Sequence, residues 1–383
     1  MKTNASILVV THIAHKNISP HEPIEGPYSS LCNVFSSSTK NVNIFGLPLA
    51  RYNPGIMLGE WKNYKKMFVP KFLGNWLPVK FLVDIVLTTL VILKWSVLNN
   101  KRDKLVVGID PLSCLPLWIL KKPLGYKLVY YCVDYNRDRF SNLFFQRCYE
   151  LADEWASRFS DETWVICEAL KNFKKEIFNV DSYYVPNSVV FDPSIFADGK
   201  SKRTGNKIVW TGSLLTDRQF GILFGVLSGI QTKIRTDIEF VFAPTRDHDK
   251  FELYSKKYNL KSFSLLRLNS RLEFQKVAAT CDVGIALYDE KFGSTEFIEP
   301  MKIWDFLLCG LPFIVSSEPS ITQAIKDGGV AYFLEPKNII PKDASLKSFL
   351  AKNNLENKMP TCLSIAKKYD IQRQLERRLN VLL

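Results

Sequence analysis

The chain is 383 residues long, with 46% hydrophobic, 13% aromatic and 23% charged residues. That excludes a disordered chain and a single small module, and predicts two or three domains of about 100–200 residues each. With 51 Lys and Arg against 38 Asp and Glu the formal charge is +13, so the expected partners are anionic: nucleic acid, a lipid surface or a small phosphate-bearing substrate.

Eight cysteines stand apart in apolar contexts, with no C-x-x-C pair and only four histidines. The spacing reads as reduced, mostly buried thiols and not as a zinc module. The first residues pass straight into a strand at Ile7–Val10, with no apolar stretch and cleavage site ahead of it, so no secretion signal is expected. The loop that follows carries His12, His15, His21, Glu25 and Gly26, and Gly26-Pro27 reads as the turn opening a first helix.

Further β-branched and aromatic runs stand at Asn43–Phe45, Leu105–Val107, Lys127–Val133, Thr163–Ile166 and Tyr183–Val185, separated by helix-length stretches. Fully apolar strands alternating with helices predict a parallel sheet covered on both faces. Among the intervening stretches, Phe81–Leu98 is apolar except for Asp84 and Lys94. Charges so placed argue against a membrane span. Two readings stay open: a buried helix of an α/β domain, or a helix resting on anionic lipid with Trp61, Phe68, Phe72 and Trp76 nearby. From Glu60 to Lys127 twelve basic residues face four acidic ones, a local excess of +8. No aromatic RNA-binding pattern, zinc finger or helix-turn-helix accompanies that charge, so nucleic acid is not an expected partner.

Asp134, Arg137 and Arg139 follow the strand at Lys127–Val133. Asp134 can act as a general base toward an acceptor hydroxyl or simply contact it, and the two arginines can hold an anionic acceptor; the plain alternative is a loop-capping Asp with surface arginines. Val185-Pro-Asn-Ser-Val-Val-Phe-Asp-Pro193 and the polar run Asp198–Asn206 then mark a boundary near residue 190. The strand pattern restarts at Lys207–Trp210, Ile238–Phe242, Ser264–Leu266, Val283–Ala286 and Pro312–Val315. The expected organisation is α/β, with one Rossmann-like domain over 1–190 and a second over 191–362. A charged helical segment, 363–383, is expected to pack back on the first.

Open parallel sheets bind ligands beyond the carboxyl ends of their strands. In the second half Trp210-Thr-Gly212-Ser213-Leu214 is a strand ending in a glycine turn, which can bring backbone N–H groups to a phosphate. Farther on, Pro300 suits a helix start, with Met301, Lys302 and Asp305 in the first turns. Lys302 and Asp305 are spaced i, i+3 and share a face. A cation at a helix amino terminus suits a diphosphate and a carboxylate one turn on suits a ribose diol; taken as an isolated pair, the two read as an exposed helical ion pair.

Pro300-Met-Lys302, Asp305-Phe306, Gly310 and Pro312-Phe-Ile314 together resemble the P-x-K-x-x-E/D-[YF]-x-x-x-G-x-P-V/I signature of the GT-B glycosyltransferases, and within them the large family four group (glycosyl transferases group 1). Val209–Leu214 is similar to the first strand and turn of that family's nucleotide-binding domain, Val185-Pro-Asn187 with Phe191 to its linker, and Val277–Gly284 to its helix-to-strand step. These stretches cover about residues 163 to 315 in the right order; the first 160 residues match in layout more than in motif.

The resemblance implies two Rossmann-like domains facing each other across a cleft, and transfer of a hexose from a nucleotide diphosphate sugar, UDP-sugar foremost, with retention of configuration. The acceptor it implies is a lipid-linked glycan or a polysaccharide, in cell-surface glycan synthesis such as O-antigen or capsule. Inversion with Asp134 as base stays open. Residue by residue, Asp305 would hold the ribose, Lys302 and Gly212-Ser213 the diphosphate, with Arg218 as a second clamp, and Met301 and Glu296 would line the donor site. Glu299 would lie near the sugar hydroxyls as a catalytic carboxylate. His12, Glu25, Gly26, Arg137 and Arg139 would contact the sugar or acceptor. The family's two-glutamate pattern is incomplete, because Phe297 stands eight residues before Asp305, between Glu296 and Glu299.

No D-x-D stands where a metal would meet the diphosphate, so neither a metal nor a cofactor is expected; Lys302, Arg218 and the helix dipole can neutralise the leaving group. The expected location is the cytoplasm, peripheral on the inner face of the plasma membrane, with an anionic membrane surface as partner. The alternatives are a nucleotide-sugar epimerase of the same fold and a non-catalytic nucleotide-sugar-binding relative.

Overall fold

The computed structural model describes residues 3–13, 26–48, 55–67, 77–289, 295–316, 319–334 and 344–383. The chain divides into two compact units, one of Met1–Pro186 with Ile371–Leu383 and one of Asn187–Asp370.

The first unit runs β1 (Thr3–Ile13), α1 (Pro27–Ser38), β2 (Thr39–Pro48), β3 (Ile56–Glu60), β4 (Lys65–Met67), α2 (Leu77–Leu98), β5 (Lys104–Ile109), α3 (Pro111–Leu124), β6 (Lys127–Cys132), α4 (Leu143–Phe159), β7 (Glu162–Val165), α5 (Glu168–Phe178) and β8 (Ser182–Tyr184). Its eight strands lie in the order β4-β3-β2-β1-β5-β6-β7-β8. All neighbours are parallel except the β2–β3 and β3–β4 pairs. Ile7, Val9, Val10, Leu105 to Val107 and Leu128 to Tyr130 are fully buried, as strands covered on both faces require. At the core of this unit Lys174 of α5 pairs with Asp153 of α4, both side chains wholly shielded from solvent. Tyr130 donates its hydroxyl to the same carboxylate at 2.6 Å.

The second unit runs α6 (Pro193–Lys200), β9 (Lys207–Gly212), α7 (Asp217–Gly229), β10 (Glu239–Pro244), α8 (His248–Lys257), β11 (Phe263–Leu265), α9 (Arg271–Ala278), β12 (Val283–Ala286), α10 (Met301–Leu308), β13 (Phe313–Ser316), α11 (Gln323–Asp327), β14 (Ala331–Leu334), α12 (Ala344–Phe349) and α13 (Lys352–Lys368). Its six strands are parallel, in the order β11-β10-β9-β12-β13-β14. The last helix, α14 (Ile371–Leu382), belongs to the first unit. There Arg378 pairs with Glu162 and stacks 3.5 Å from the centre of the Tyr183 ring.

The division falls at Pro186, in the linker read from the sequence near residue 190, and the return to the first unit starts at Ile371 where 363 was expected. The later start has a packing reason: α13 carries Cys362, Ile365 and Ala366 into the core of the second unit. Strands β3, β4 and β14 were not anticipated. β4 is a charged edge strand, Lys-Lys-Met, and β3, between it and β2, runs out into Gly59-Glu60; β14 is apolar but only four residues long and partly buried at the other sheet's edge.

Both sheets reverse their winding once, between β1 and β5 in the first and between β9 and β12 in the second. The carboxyl ends of those strands therefore lie side by side, at the edge where open α/β sheets take ligands. In the second unit the seating of α10 rests on Gly284 in β12, where a Cβ would come within 2.4 Å of the Phe306 ring. Replacing Gly284→Ala forces that fully buried ring to move. The expected cost is about 1–3 kcal/mol, seen as a lower midpoint in thermal denaturation; an unchanged midpoint would refute the close-approach account.

Candidate functional site

In the second unit β9 ends at Gly212, whose φ of +120° favours glycine. The turn is pinned by Thr245, which donates its backbone N–H to the Gly212 carbonyl at 2.8 Å. Ser213 follows, exposed. The helix α7 then starts under a cap at Thr216, which accepts from the Gln219 N–H, and Arg218 lies in its first turn. Arg218 Nε donates to both carboxylate oxygens of Asp289, at 3.0 and 2.9 Å. Asp289 leaves the end of β12, so this pair bridges the two strands at which the winding reverses.

Lys302 points from the first turn of α10 into the same corner. Its ammonium lies 5.0 Å from the centre of the Trp210 ring and 5.5 Å from that of Tyr288. A Cβ on Gly212 would stand 3.0 Å from Lys302 Nζ. Among the described residues no hydrogen bond or ion pair reaches this ammonium. Burial lowers its pKa to about 8.

Asp305 does not pair with Lys302. Its Oδ1 accepts from Arg271 Nε at 2.8 Å and from Gln275 Nε2 at 2.7 Å, both on α9. The exposed helical ion pair is thus absent, because Asp305 is buried on the α9 side of the helix. Arg271 Nη2 is itself buried without a hydrogen-bond partner among the described residues.

Met301, the first residue of α10, is partly buried, and Glu296 is exposed in the short turn Thr295–Phe297. Glu299, expected beside the sugar hydroxyls, is turned inward: it is 2% exposed and its carboxylate accepts from the Thr322 N–H at 3.2 Å.

The first unit gathers a second set of polar groups at its own reversal. His12, near the end of β1, contacts Asp84 Oδ2 through Nε2 at 3.3 Å and Ser113 Oγ through Nδ1 at 3.3 Å, with Asp110 Oδ1 at 3.8 Å. Asp84 also pairs with Lys80 one turn earlier on α2. Asp110 caps α3 by accepting from the Leu112 N–H at 2.9 Å. It does so at φ +102°, a strained conformation for a residue with a side chain. Arg139 reaches Asp110 Oδ2 at 3.6 Å and Asp134 Oδ2 at 3.4 Å, and stacks 5.1 Å from the Tyr149 ring centre. The Asp134 side chain is 58% exposed, and its carbonyl accepts from the Tyr149 hydroxyl. Arg137 is exposed over Phe173. Gly26 is the extended residue before α1. Glu25, like His15, His21, Phe68, Phe72 and Trp76, lies outside the described residues.

Of the anticipated residues, Gly212, Arg218 and Lys302 gather at one corner of the second unit while Asp305, on the same helix as Lys302, turns to α9; in the first unit His12 is linked to Arg139 through Asp110, and Arg139 to Asp134. Arg271, Gln275, Tyr288 and Asp289, and in the first unit Asp84, Asp110 and Ser113, were not anticipated. Each is recruited from another element by tertiary packing; only the position of Asp289 and Asp110 just past a strand end could have flagged them.

No family model matches the sequence, and no curated protein sequence does. Solved structures match along its length. The alpha,alpha-trehalose-6-phosphate synthase of Burkholderia multivorans superposes with a TM-score of 0.66 at 10% identity, over 100% of this chain and 96% of that one. Sucrose-phosphate synthase from Thermosynechococcus elongatus gives 0.66 at 12%, over 98% and 99%. Anabaena HepE in complex with UDP gives 0.61 at 14%, over 98% and 100%. At these identities the likeness defines the fold, which is that of the GT-B glycosyltransferases: two α/β units, each built on a largely or wholly parallel sheet.

The setting of Lys302 has a pH signature. Its folded pKa of about 8 lies below the ordinary value of 10.5, so the unfolded chain binds more protons between those values and stability rises with pH across that window. The charged form is disfavoured in full below about pH 8. Lys302→Met is therefore expected to raise the denaturation midpoint relative to the parent at pH 7, by an amount that shrinks toward pH 10.5. A difference that does not change with pH in paired denaturant titrations would overturn the assignment.

Proposed function

We propose that the protein is a hexosyltransferase that takes a sugar from a nucleotide diphosphate donor, UDP-sugar foremost, related to family four of the GT-B enzymes. The observation that carries this reading is the Lys302 ammonium, partly desolvated at a helix amino terminus, beside the Gly212 turn and without an anionic partner among the described residues. Such a group is stabilised by an anion, and a helix amino end with a glycine turn suits a diphosphate. Two of the matched structures support the nucleotide: HepE in complex with UDP and glucose, and a UDP-forming trehalose-phosphate synthase from Burkholderia xenovorans with glucose-6-phosphate.

In this reading Lys302 and Arg218 neutralise the departing diphosphate, with Gly212-Ser213 supplying backbone donors. Asp305, whose Oδ1 is held by Arg271 and Gln275, offers its other oxygen to the ribose diol. Of the carboxylates flanking Phe297, the exposed Glu296 is the one to meet the donor sugar, while Glu299 positions the loop through Thr322. The acceptor belongs to the first unit, with Asp134 and Arg139 as its contacts and Asp134 as base if configuration inverts. The family resemblance favours retention. The acceptor is a lipid-linked glycan or a polysaccharide of the cell surface, O-antigen or capsule among them. The place of action is the inner face of the plasma membrane, in keeping with the +8 excess between Glu60 and Lys127. Because two protein cations and helix dipoles serve the leaving group, turnover is metal-independent; activity lost in a chelator and restored by a divalent ion would contradict this.

The decisive assay is acceptor-dependent release of nucleotide from a panel of labelled UDP-, GDP- and TDP-sugars. Release only with acceptor is expected; conversion of the free donor without acceptor would indicate an epimerase, and binding without turnover a regulatory protein. Lys302→Ala is expected to weaken UDP binding roughly ten- to hundredfold. In the parent, UDP affinity should fall as the pH rises past 8 and the ammonium deprotonates. Calorimetry giving equal affinity in both proteins would remove the site.

A further inference from the structure

The helix α2 is built the wrong way round for a water-facing helix. Leu82, Val86, Leu90, Leu93 and Val97 are each between 38 and 68% exposed, and at about 100° per residue they fall within one narrow arc. The opposite side, packed into the unit, holds Lys80, Asp84, Thr88, Ser96 and Asn99, all buried, together with Ile92 and Trp95. Several of these inward polar groups are satisfied inside. Lys80 and Asp84 pair, and Asp84 meets His12. Ser96 donates to the Leu124 carbonyl and accepts from Lys104, while Asn99 donates to the Trp95 carbonyl. The outward stripe is about 22 Å long and exceeds the scattered single apolar residues normal for a surface.

We propose that the Leu82–Val97 stripe lies on an anionic bilayer surface, with α2 parallel to the membrane plane. The charge around the stripe selects this occupant. Lys94 is exposed one turn from both Leu90 and Leu98, and Lys101 and Arg102 are exposed just past the helix end, as on a helix that rests at the headgroups of acidic lipids. A second copy of the chain in a twofold contact would bring these cationic rims against one another. Crossing the bilayer is ruled out by the packed polar side, whose groups would lose their partners in hydrocarbon. The inference deepens the membrane-surface reading above and does not depend on the transferase reading. The same helix presents Asp84 to His12, so a lipid-facing layer and the polar group at the end of β1 are two sides of one element.

The test is flotation of the full chain with phosphatidylcholine vesicles with and without phosphatidylglycerol. Binding to the acidic vesicles is expected, weakening with salt and nearly lost on neutral ones. Val86→Glu with Leu90→Glu should lower partitioning about tenfold or more, with unchanged circular dichroism, denaturation midpoint and UDP binding. Lys94→Glu with Lys101→Glu should lower it on acidic vesicles only. Failure of the parent to float, or equal flotation of Val86→Glu/Leu90→Glu, overturns the proposal. So does a dimer in light scattering that the same pair of substitutions dissolves without any vesicle binding. Loss of sugar transfer with flotation intact would count against the transferase reading alone.

Discussion

Two carboxylates close to Lys302, in sequence or through Tyr288, are engaged elsewhere. Asp305, one helical turn away and its natural i, i+3 partner, is held by Arg271 and Gln275, and Asp289, beside Tyr288, is gripped by Arg218. Because both are engaged from other elements, the fold leaves a cation among aromatic rings and a glycine turn. The rest of the second unit serves this arrangement: Gly284 lets α10 approach β12, and the buried Trp304, Phe306 and Leu307 hold the helix in register.

The first unit handles its polar groups in the opposite manner. His12, Asp84, Lys80, Asp110, Ser113 and Arg139 form a chain of mutual contacts with little left over. His12, Asp84 and Asp110 are each oriented by two or more of the others, which makes the centre of the network rigid. The group projecting beyond it is Asp134, exposed and fixed through its own carbonyl by Tyr149. One unit thus presents an unneutralised cation and the other an exposed carboxylate on a stiff base.

The central strands were legible in the sequence, since Ile7–Val10, Leu105–Val107 and Ile208–Trp210 are apolar on both faces and no helix pattern fits them. Strands β3, β4 and β14 were not: β4 is Lys-Lys-Met, β3 ends in Gly59-Glu60, and the four apolar residues of β14 form a short run only partly buried at a sheet edge. Lys302 and Asp305 were legible from the Pro300 helix start and the Gly310-Leu-Pro312 stop. That they would not pair was illegible, because the competing partners lie on α9, some thirty residues earlier. Glu299 shows the same limit: the family resemblance implied a carboxylate near the sugar, and only the folded chain reveals that it accepts from the Thr322 N–H. The stretch Phe81–Leu98 left two readings open, since hydropathy records that a helix is apolar and not which side faces in.

The position of α14 has a consequence for the order of assembly. The first unit is completed by residues 371–383, with Leu375 and Leu379 buried in it and Arg378 closing over Glu162 and Tyr183. The second unit is therefore an insertion, made on the ribosome before the first can close. A nascent chain ending at Pro186 has its sheet but lacks the helix that covers α1, and must hold that surface uncovered while 184 more residues, those of Asn187–Asp370, are synthesised.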